Sequence, residues 1–198
     1  MKQLIFGLCI LSMLSCRKHF DNSNEIDKIV LPNYTETGAN AFGFMLNNTI
    51  WTVFGKHYLT TGFGSGFIDN KLEVSTFFTG VNQLTVVGGG RMTIVKNDSA
   101  IIDISAGFSF IPTTPFIKDY FLTATYPGNF VINDKVKNKY YKVDPSRPFV
   151  LRINKFEKID SLNRICSGRF FGILYNEVDK NDSIIVSDGR LDTKIIYK

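Results

Sequence analysis

The chain has 198 residues, 23 Lys and Arg against 18 Asp and Glu for a formal net charge of +5, and 14% aromatic residues, 18 of them Phe. That length and apolar content suit one domain with a sizeable core rather than two. So small a surplus lacks the focused positive field that nucleic-acid binding calls for, and two His with the one Cys, Cys166, that an N-terminal signal and anchor would leave free are too few for a zinc centre.

The chain opens on Lys2 and an apolar run from Leu4 to Leu14, which closes as Met13-Leu14-Ser15-Cys16. Eleven residues make a helix of roughly 16 Å, too short for a hydrocarbon core of about 30 Å, so the run reads as a signal peptide. A small residue followed by Cys is what lipoprotein processing demands: the thiol takes a diacylglyceryl group and the peptidase cuts on its amino side. Residues 1–15 are therefore expected to be a lipoprotein signal and Cys16 the acylated residue, although Met13 departs from the usual Leu or Val. The acyl chains would hold the protein far more firmly than a single myristoyl chain. From 16 to 36 the chain is polar and aperiodic, with Asp21, Asn22, Ser23, Asn24, Glu25 and Asp27 in quick succession, and is expected to be a flexible tether.

From residue 37 onwards the period is two, and residues 37–198 read as a single all-β domain. Leu72, Val74, Thr76 and Phe78 share one face of a strand, as do Ile102, Ile104, Ala106, Phe108 and Phe110, and again Phe149, Leu151 and Ile153. Between such runs stand Asn47-Asn48, Asp69-Asn70, Asn97-Asp98, Pro127-Gly128-Asn129 and Asp188-Gly189, each suited to a tight turn. Pro115 to Phe121 is at most a short turn of helix. Phe170 to Tyr175 is apolar on both faces, as in a central strand covered on both sides. That favours an antiparallel two-layer β-sandwich, with a closed barrel left open.

Residues that carry chemistry are sparse. Nucleophilic triads need a histidine to move the proton, and past the tether the chain has only His57, which reads as a surface or strand residue beside Lys56 and Tyr58. Cys166 starts an apolar strand and reads as inert packing, with no local group to lower its pKa. Asp179, Asn181 and Asp182, with Glu177 nearby, lack the glycine and trailing Glu of an EF-hand loop and read as a solvated turn. Gly88-Gly89-Gly90 lead into a strand, Arg91 to Val95, instead of the helix that a phosphate cradle requires, and read as a bulged turn. No catalytic, cofactor or metal residue is expected, although carboxylates that pair only in space stay open. Two features favour binding. Trp51 follows a hairpin turn, where its ring would serve as a platform for a sugar face or as core packing. Between Asp134 and Lys158 stand eight basic residues against three acids, and Lys135, Lys137 and Lys139 recur at period two. They would guard an edge strand or contact an anionic glycan or lipid head group.

Leu31-Pro32-Asn33-Tyr34-Thr35-Glu36-Thr37-Gly38-Ala39-Asn40-Ala41-Phe42-Gly43, then Asn47-Asn48 and Trp51, together with Ser167-Gly168-Arg169-Phe170-Phe171-Gly172 and Asp188-Gly189-Arg190-Leu191-Asp192, resemble a domain of unknown function in Bacteroidetes lipoproteins. The shared motifs touch both ends of the domain, and none falls between about Tyr58 and Ile159. The resemblance implies no activity. Surface-export signals of such lipoproteins are acidic just after the anchor, whereas Arg17, Lys18 and His19 stand here, so the periplasmic face of the outer membrane is expected. Exported Bacteroidetes proteins take O-glycans on Asp-Ser/Thr-aliphatic tripeptides, which makes Ser99, Ser161 and Ser183 candidate acceptors. The expectation is a lipid-anchored, non-catalytic binding or accessory module for a glycan or an envelope protein. Its alternatives are a glycan hydrolase with spatially paired carboxylates and a purely structural envelope-assembly protein.

Overall fold

The computed structural model describes residues 20–61, 64–79, 83–123, 128–147 and 149–196; the expected signal and Cys16 lie outside them. Among the described residues the strands are β1 (Ala41–Leu46), β2 (Thr49–Thr52), β3 (Lys56–Thr61), β4 (Gly64–Asp69), β5 (Glu73–Thr79), β6 (Gln83–Lys96), β7 (Ser99–Phe110), β8 (Asp119–Leu122), β9 (Asn129–Asp134), β10 (Lys139–Val143), β11 (Phe149–Lys158), β12 (Asn163–Asn176) and β13 (Ser183–Ile196). The only regular helix among them is one short 3₁₀ segment, Ser23–Lys28. The helical turn expected within Pro115 to Phe121 is instead a bend that runs into β8.

The main sheet runs β2-β1-β13-β12-β10-β9-β7-β6-β5, with β11 and β8 branching off β12. Fourteen residues make β12 long enough to pair β11 along Arg164–Phe171 and β10 along Leu174–Asn176. The sheet curls into a half-barrel. Just past β2, Phe54 reaches across to β6: its N–H donates to the Arg91 carbonyl at 3.2 Å and its carbonyl accepts from the Thr93 N–H at 2.9 Å. The all-β expectation holds, but the two-layer sandwich is corrected to one sheet folded over its own inner face, beside a small β3–β4 sheet. Register shifts at Gly43/Met45, Ile94/Val95, Ile153/Lys155 and Phe170/Gly172 bend the long strands into that curl.

Local chemistry explains most turns. Asn47-Asn48 and Asn97-Asp98 hold positive φ at both central positions and close two-residue hairpins with the twist that strands favour. Asp188-Gly189, expected as a turn, lies inside β13 beside the irregularity opposite Phe170/Gly172, and Asp188 carries the positive φ there. Alternate residues then converge on the inner face. Phe44 stacks on Trp51 at 4.6 Å, Phe130 on Phe149 at 4.5 Å, and Phe42 meets Phe170 at 5.3 Å. In β12, Phe170 and Leu174 are buried while Phe171 and Ile173 are exposed, so the expectation of a strand covered on both faces fails; among the described residues no second layer lies over the outer face there.

The expected tether is docked from residue 20 onwards. Asn22 is buried beside the irregularity in β6; its Oδ1 accepts from the Val95 N–H at 2.6 Å and its Nδ2 donates to the Thr93 carbonyl at 3.2 Å. Arg190 donates to the Pro32 carbonyl at 2.7 Å and Lys155 to the Glu36 carbonyl at 2.9 Å. The strip ends on Asp192, whose carboxylate accepts the N–H groups of Thr37 (3.2 Å), Gly38 (2.8 Å) and Ala39 (3.1 Å) and the hydroxyls of Thr35 and Ser167. Burial opposes the charge on Asp192, but the bonds from Ser167, Thr35, Ala39 and Gly38 outweigh it and hold the carboxyl at about 2. Polar composition suggested disorder because a solvated strip and one that caps another element's backbone groups read alike.

Candidate ligand-binding groove

Strand β6 explains its own glycines. A Cβ on Gly88 would stand 2.6 Å from the Phe108 ring, one on Gly90 2.2 Å from Val53, and one on Gly89 2.5 Å from the Ala106 carbonyl. They lie within a continuous strand, which corrects the expected bulged turn. Gly89 faces outwards between two rows of side chains, and its neighbour across the ladder is Gly107 in β7.

Register lays out the outer face in rows. One row runs Arg91, Ser105, Asn133 and Tyr140 across β6, β7, β9 and β10. The next runs Glu73, Gly89, Gly107, Val131 and Lys142, the last paired with Glu177 at 2.6 Å, and the third begins with Ser75 and Val87. The middle row has almost no side chain over two adjacent strands, so it forms the floor of a trough at right angles to the strands. Strand spacing gives the side-chain-free stretch a length of roughly 10 Å, and the flanking rows stand about 13 Å apart along the strands. The β3–β4 hairpin supplies a wall through His57, Phe67, Ile68 and Asp69, and the open volume is about 1130 Å³. A second lobe of about 500 Å³ shares His57, Phe67 and Arg91 and adds Tyr58 and Asp98.

Asn70 holds that hairpin at its base. Its side-chain nitrogen donates to the Phe54 carbonyl at 2.6 Å and to the Thr93 hydroxyl at 3.1 Å, and its Oδ1 lies 2.7 Å from His57 Nδ1. Arg91 grips Asp103 at two points through Nε and Nη2. The guanidinium at the centre of the groove is thereby neutralised. Ser105 and Asn133 are half-buried with no side-chain partner among the described residues, and Tyr140, 38% exposed, closes the far end.

The residues singled out from sequence fall elsewhere. Trp51 is fully buried, its Nε1 donating to the Ile104 carbonyl at 3.2 Å, so it packs the core and cannot be a sugar platform. Lys135 and Lys137 sit in the β9–β10 turn and Lys139 starts β10, so the expected lysine face of one strand does not form. Lys137 pairs with Asp134 at 3.4 Å and Lys139 with Asp182 at 2.8 Å. Asp182 also accepts from Asn176 and Tyr141, and with Asp179 and Asn181 it belongs to a hydrogen-bonded turn. Ser99, Ser161 and Ser183 are all exposed beside turns. Cys166 is buried, and desolvation, with the Asp192 charge, pushes its thiol up to about 12.

Among the described residues, no group of three or more His, Cys, Asp and Glu is placed to hold a metal ion, and no helix is long and apolar enough to cross a membrane. Sequence reasoning missed Arg91, Ser105, Asn133 and Tyr140. The available signal was Gly107 breaking the side-chain alternation of its strand, opposite the glycine run.

A family model described as "Domain of unknown function (DUF5025)" matches residues 83–194, more than half of the chain. The match spans β6 to β12 and most of β13, including the floor and polar row of the groove, but neither the β3–β4 wall nor the 31–51 motifs. It runs through the middle stretch where sequence inspection found no shared motif. No curated protein and no solved structure matches.

Proposed function

We propose, for a chain that belongs to the DUF5025 family, whose function is unknown, that it is a non-catalytic binding module taking a neutral glycan along the trough. The observation that carries this reading is the side-chain-free floor of Gly89 and Gly107 beside the polar row of Arg91, Ser105, Asn133 and Tyr140. A sheet face offers no free ladder groups for an added peptide strand, since those are spent between neighbouring strands. It does offer side chains. The unpartnered Ser105 and Asn133 suit a ligand rich in hydroxyls, and the Tyr140 ring suits the flat face of a sugar.

Charge argues the same way. Arg91, which lines both lobes, is bound to Asp103, and the exposed Lys71 and Glu73 that also line the groove offset each other in charge. That same bond commits Asp103, and Asp69 faces Lys56 at 3.4 Å, an arrangement that disfavours a hydrolase built on these acids. Anchoring through Cys16 at the periplasmic face of the outer membrane belongs to this proposal, with envelope glycans as the ligands in reach.

The test is a glycan array followed by calorimetry on any hit, with Gly107→Val as the groove-filling variant. A Cβ at Gly107 meets nothing nearer than 3.7 Å, so the fold accommodates it. The expected result is an unchanged melting transition with at least a tenfold loss of affinity; undiminished binding by the variant refutes the site. A second reading, contact with an envelope protein, is favoured by the exposed apolar residues Phe121, Phe171, Ile173 and Ile185, of which Ile173 and Ile185 are cross-strand partners. Ile185→Lys would weaken such a contact and leave glycan binding intact.

A further inference from the structure

The hydrogen-bond polarity around Asn70 fixes the state of His57, and this deepens the glycan reading on which its ligand half rests. The Phe54 carbonyl can only accept, and it lies 2.6 Å from one arm of the Asn70 amide. That arm is therefore the NH2 group, whose second hydrogen reaches the Thr93 hydroxyl at 3.1 Å. A flipped amide would set two oxygens against each other at the first contact. The other arm, 2.7 Å from His57 Nδ1, is then Oδ1, which can only accept. Neutral His57 must carry its proton on Nδ1 to satisfy it.

The geometry thus assigns the neutral ring of His57 to the Nδ1–H form, leaving the Nε2 lone pair, unpartnered among the described residues, as a hydrogen-bond acceptor on a side chain that lines both lobes of the groove. An acceptor at that point selects for a donor. Sugar hydroxyls donate; sulfate esters and ionised carboxylates do not, although the remaining hydroxyls of an acidic sugar do. With Arg91 paired to Asp103, Nε2 favours a hydroxyl over a sulfate or carboxylate substituent at the one position it faces.

The experiment has two arms. First, long-range ¹H–¹⁵N correlation spectra of the ligand-free, histidine-labelled protein near neutral pH read the protonated nitrogen directly, with His57→Phe to separate His57 from His19. A pyridine-type Nε2 and a protonated Nδ1 are expected, and Asn70→Ala is expected to mix the two tautomers. A protonated Nε2, or a tautomer mixture in the unaltered protein, overturns the assignment. Second, hexasaccharides of neutral glucan, mannan and xylan are titrated against sulfated and uronic-acid oligosaccharides. Neutral sugars are expected to bind and to shift the Nε2 resonance, and His57→Phe, which keeps a ring but removes the acceptor, is expected to cost about tenfold in affinity. Preferential binding of the sulfated or uronic probes overturns the selectivity. If no saccharide of either kind binds while Nδ1 is found protonated, the glycan reading fails and the assignment of His57 stands.

Discussion

Replacing Asp192 by Asn removes a charge and almost no volume, which makes it a clean test of what fastens residues 35–39 to the curled sheet. The carboxylate takes five close bonds: Oδ1 from the Gly38 N–H and the Ser167 hydroxyl, Oδ2 from the Thr35 hydroxyl and the Thr37 and Ala39 N–H groups. An Asn that keeps its oxygen at the Oδ2 position turns NH2 towards Gly38 and Ser167. The serine hydroxyl can rotate to accept, but the Gly38 N–H cannot, and one stranded buried donor costs about 1–3 kcal/mol. Titration gives a second route to the size. A carboxyl held at about 2 instead of its usual 3.8 contributes about 2 kcal/mol at neutral pH. Because the folded value is the depressed one, that contribution is complete above the unfolded value and drains away as pH falls from about 4 through 2. Asp192→Asn is accordingly expected to lower urea stability by about 2–3 kcal/mol at pH 7 and Tm by roughly 5–10 °C. The difference from the unaltered protein should narrow steadily below pH 4 as the native carboxyl becomes a neutral donor like its replacement. A variant as stable as the parent at pH 7, or a deficit that does not change down to pH 2.5, refutes the reasoning.

Three further outcomes follow from the same structure. Burial of Cys166 and its thiol pushed to about 12 mean that the Cys166 peptide stays unmodified by a thiol-selective alkylating reagent at pH 8 in the native protein and reacts only with unfolding; mass spectrometry of that peptide reads it. Asn22→Ala strands the Val95 N–H and should cost about 1–3 kcal/mol, with tryptic cleavage after Lys28 accelerating well ahead of cleavage in the strands. Gly89→Ala drives a Cβ to 2.5 Å from the Ala106 carbonyl and should cost about 1–3 kcal/mol in denaturant, whereas Gly107→Ala should stay within about 0.5 kcal/mol of the parent.

Fold class was readable because period two is enforced at every strand that buries one face. Ile102 to Phe110 shows it best: inward Phe108 and Phe110 reach the aromatic core while Ser105 and Gly107 face out. Layering was not readable. Phe170 to Tyr175 carries apolar residues on both faces whether a second sheet covers them or they stand exposed, and here Phe171 and Ile173 are exposed on the outer side of the curl. The route of residues 20–36 was hidden for a related reason: Asn22 bonds Val95, 73 positions away, and the Thr35 hydroxyl and Ala39 N–H bond Asp192, 157 and 153 positions away, whereas composition reports only on neighbours.

The candidate site inverts the usual search for conspicuous side chains. Trp51 and the lysines drew attention because of what they carry, yet Trp51 was needed to fill the core and Lys137 and Lys139 to pair with nearby acids. The groove exists because of what is missing. Gly88 and Gly90 are explained by Phe108 and Val53, which need their space, but at Gly107 a Cβ would meet only ordinary contacts at 3.7 Å, and packing gives no reason for a glycine there. Glycine in a strand sacrifices about 0.5–1 kcal/mol relative to a residue with a side chain. A cost with no structural return points to something that must approach the backbone from outside, which is why Gly107, rather than any aromatic or charged residue, is the position at which to test for the ligand.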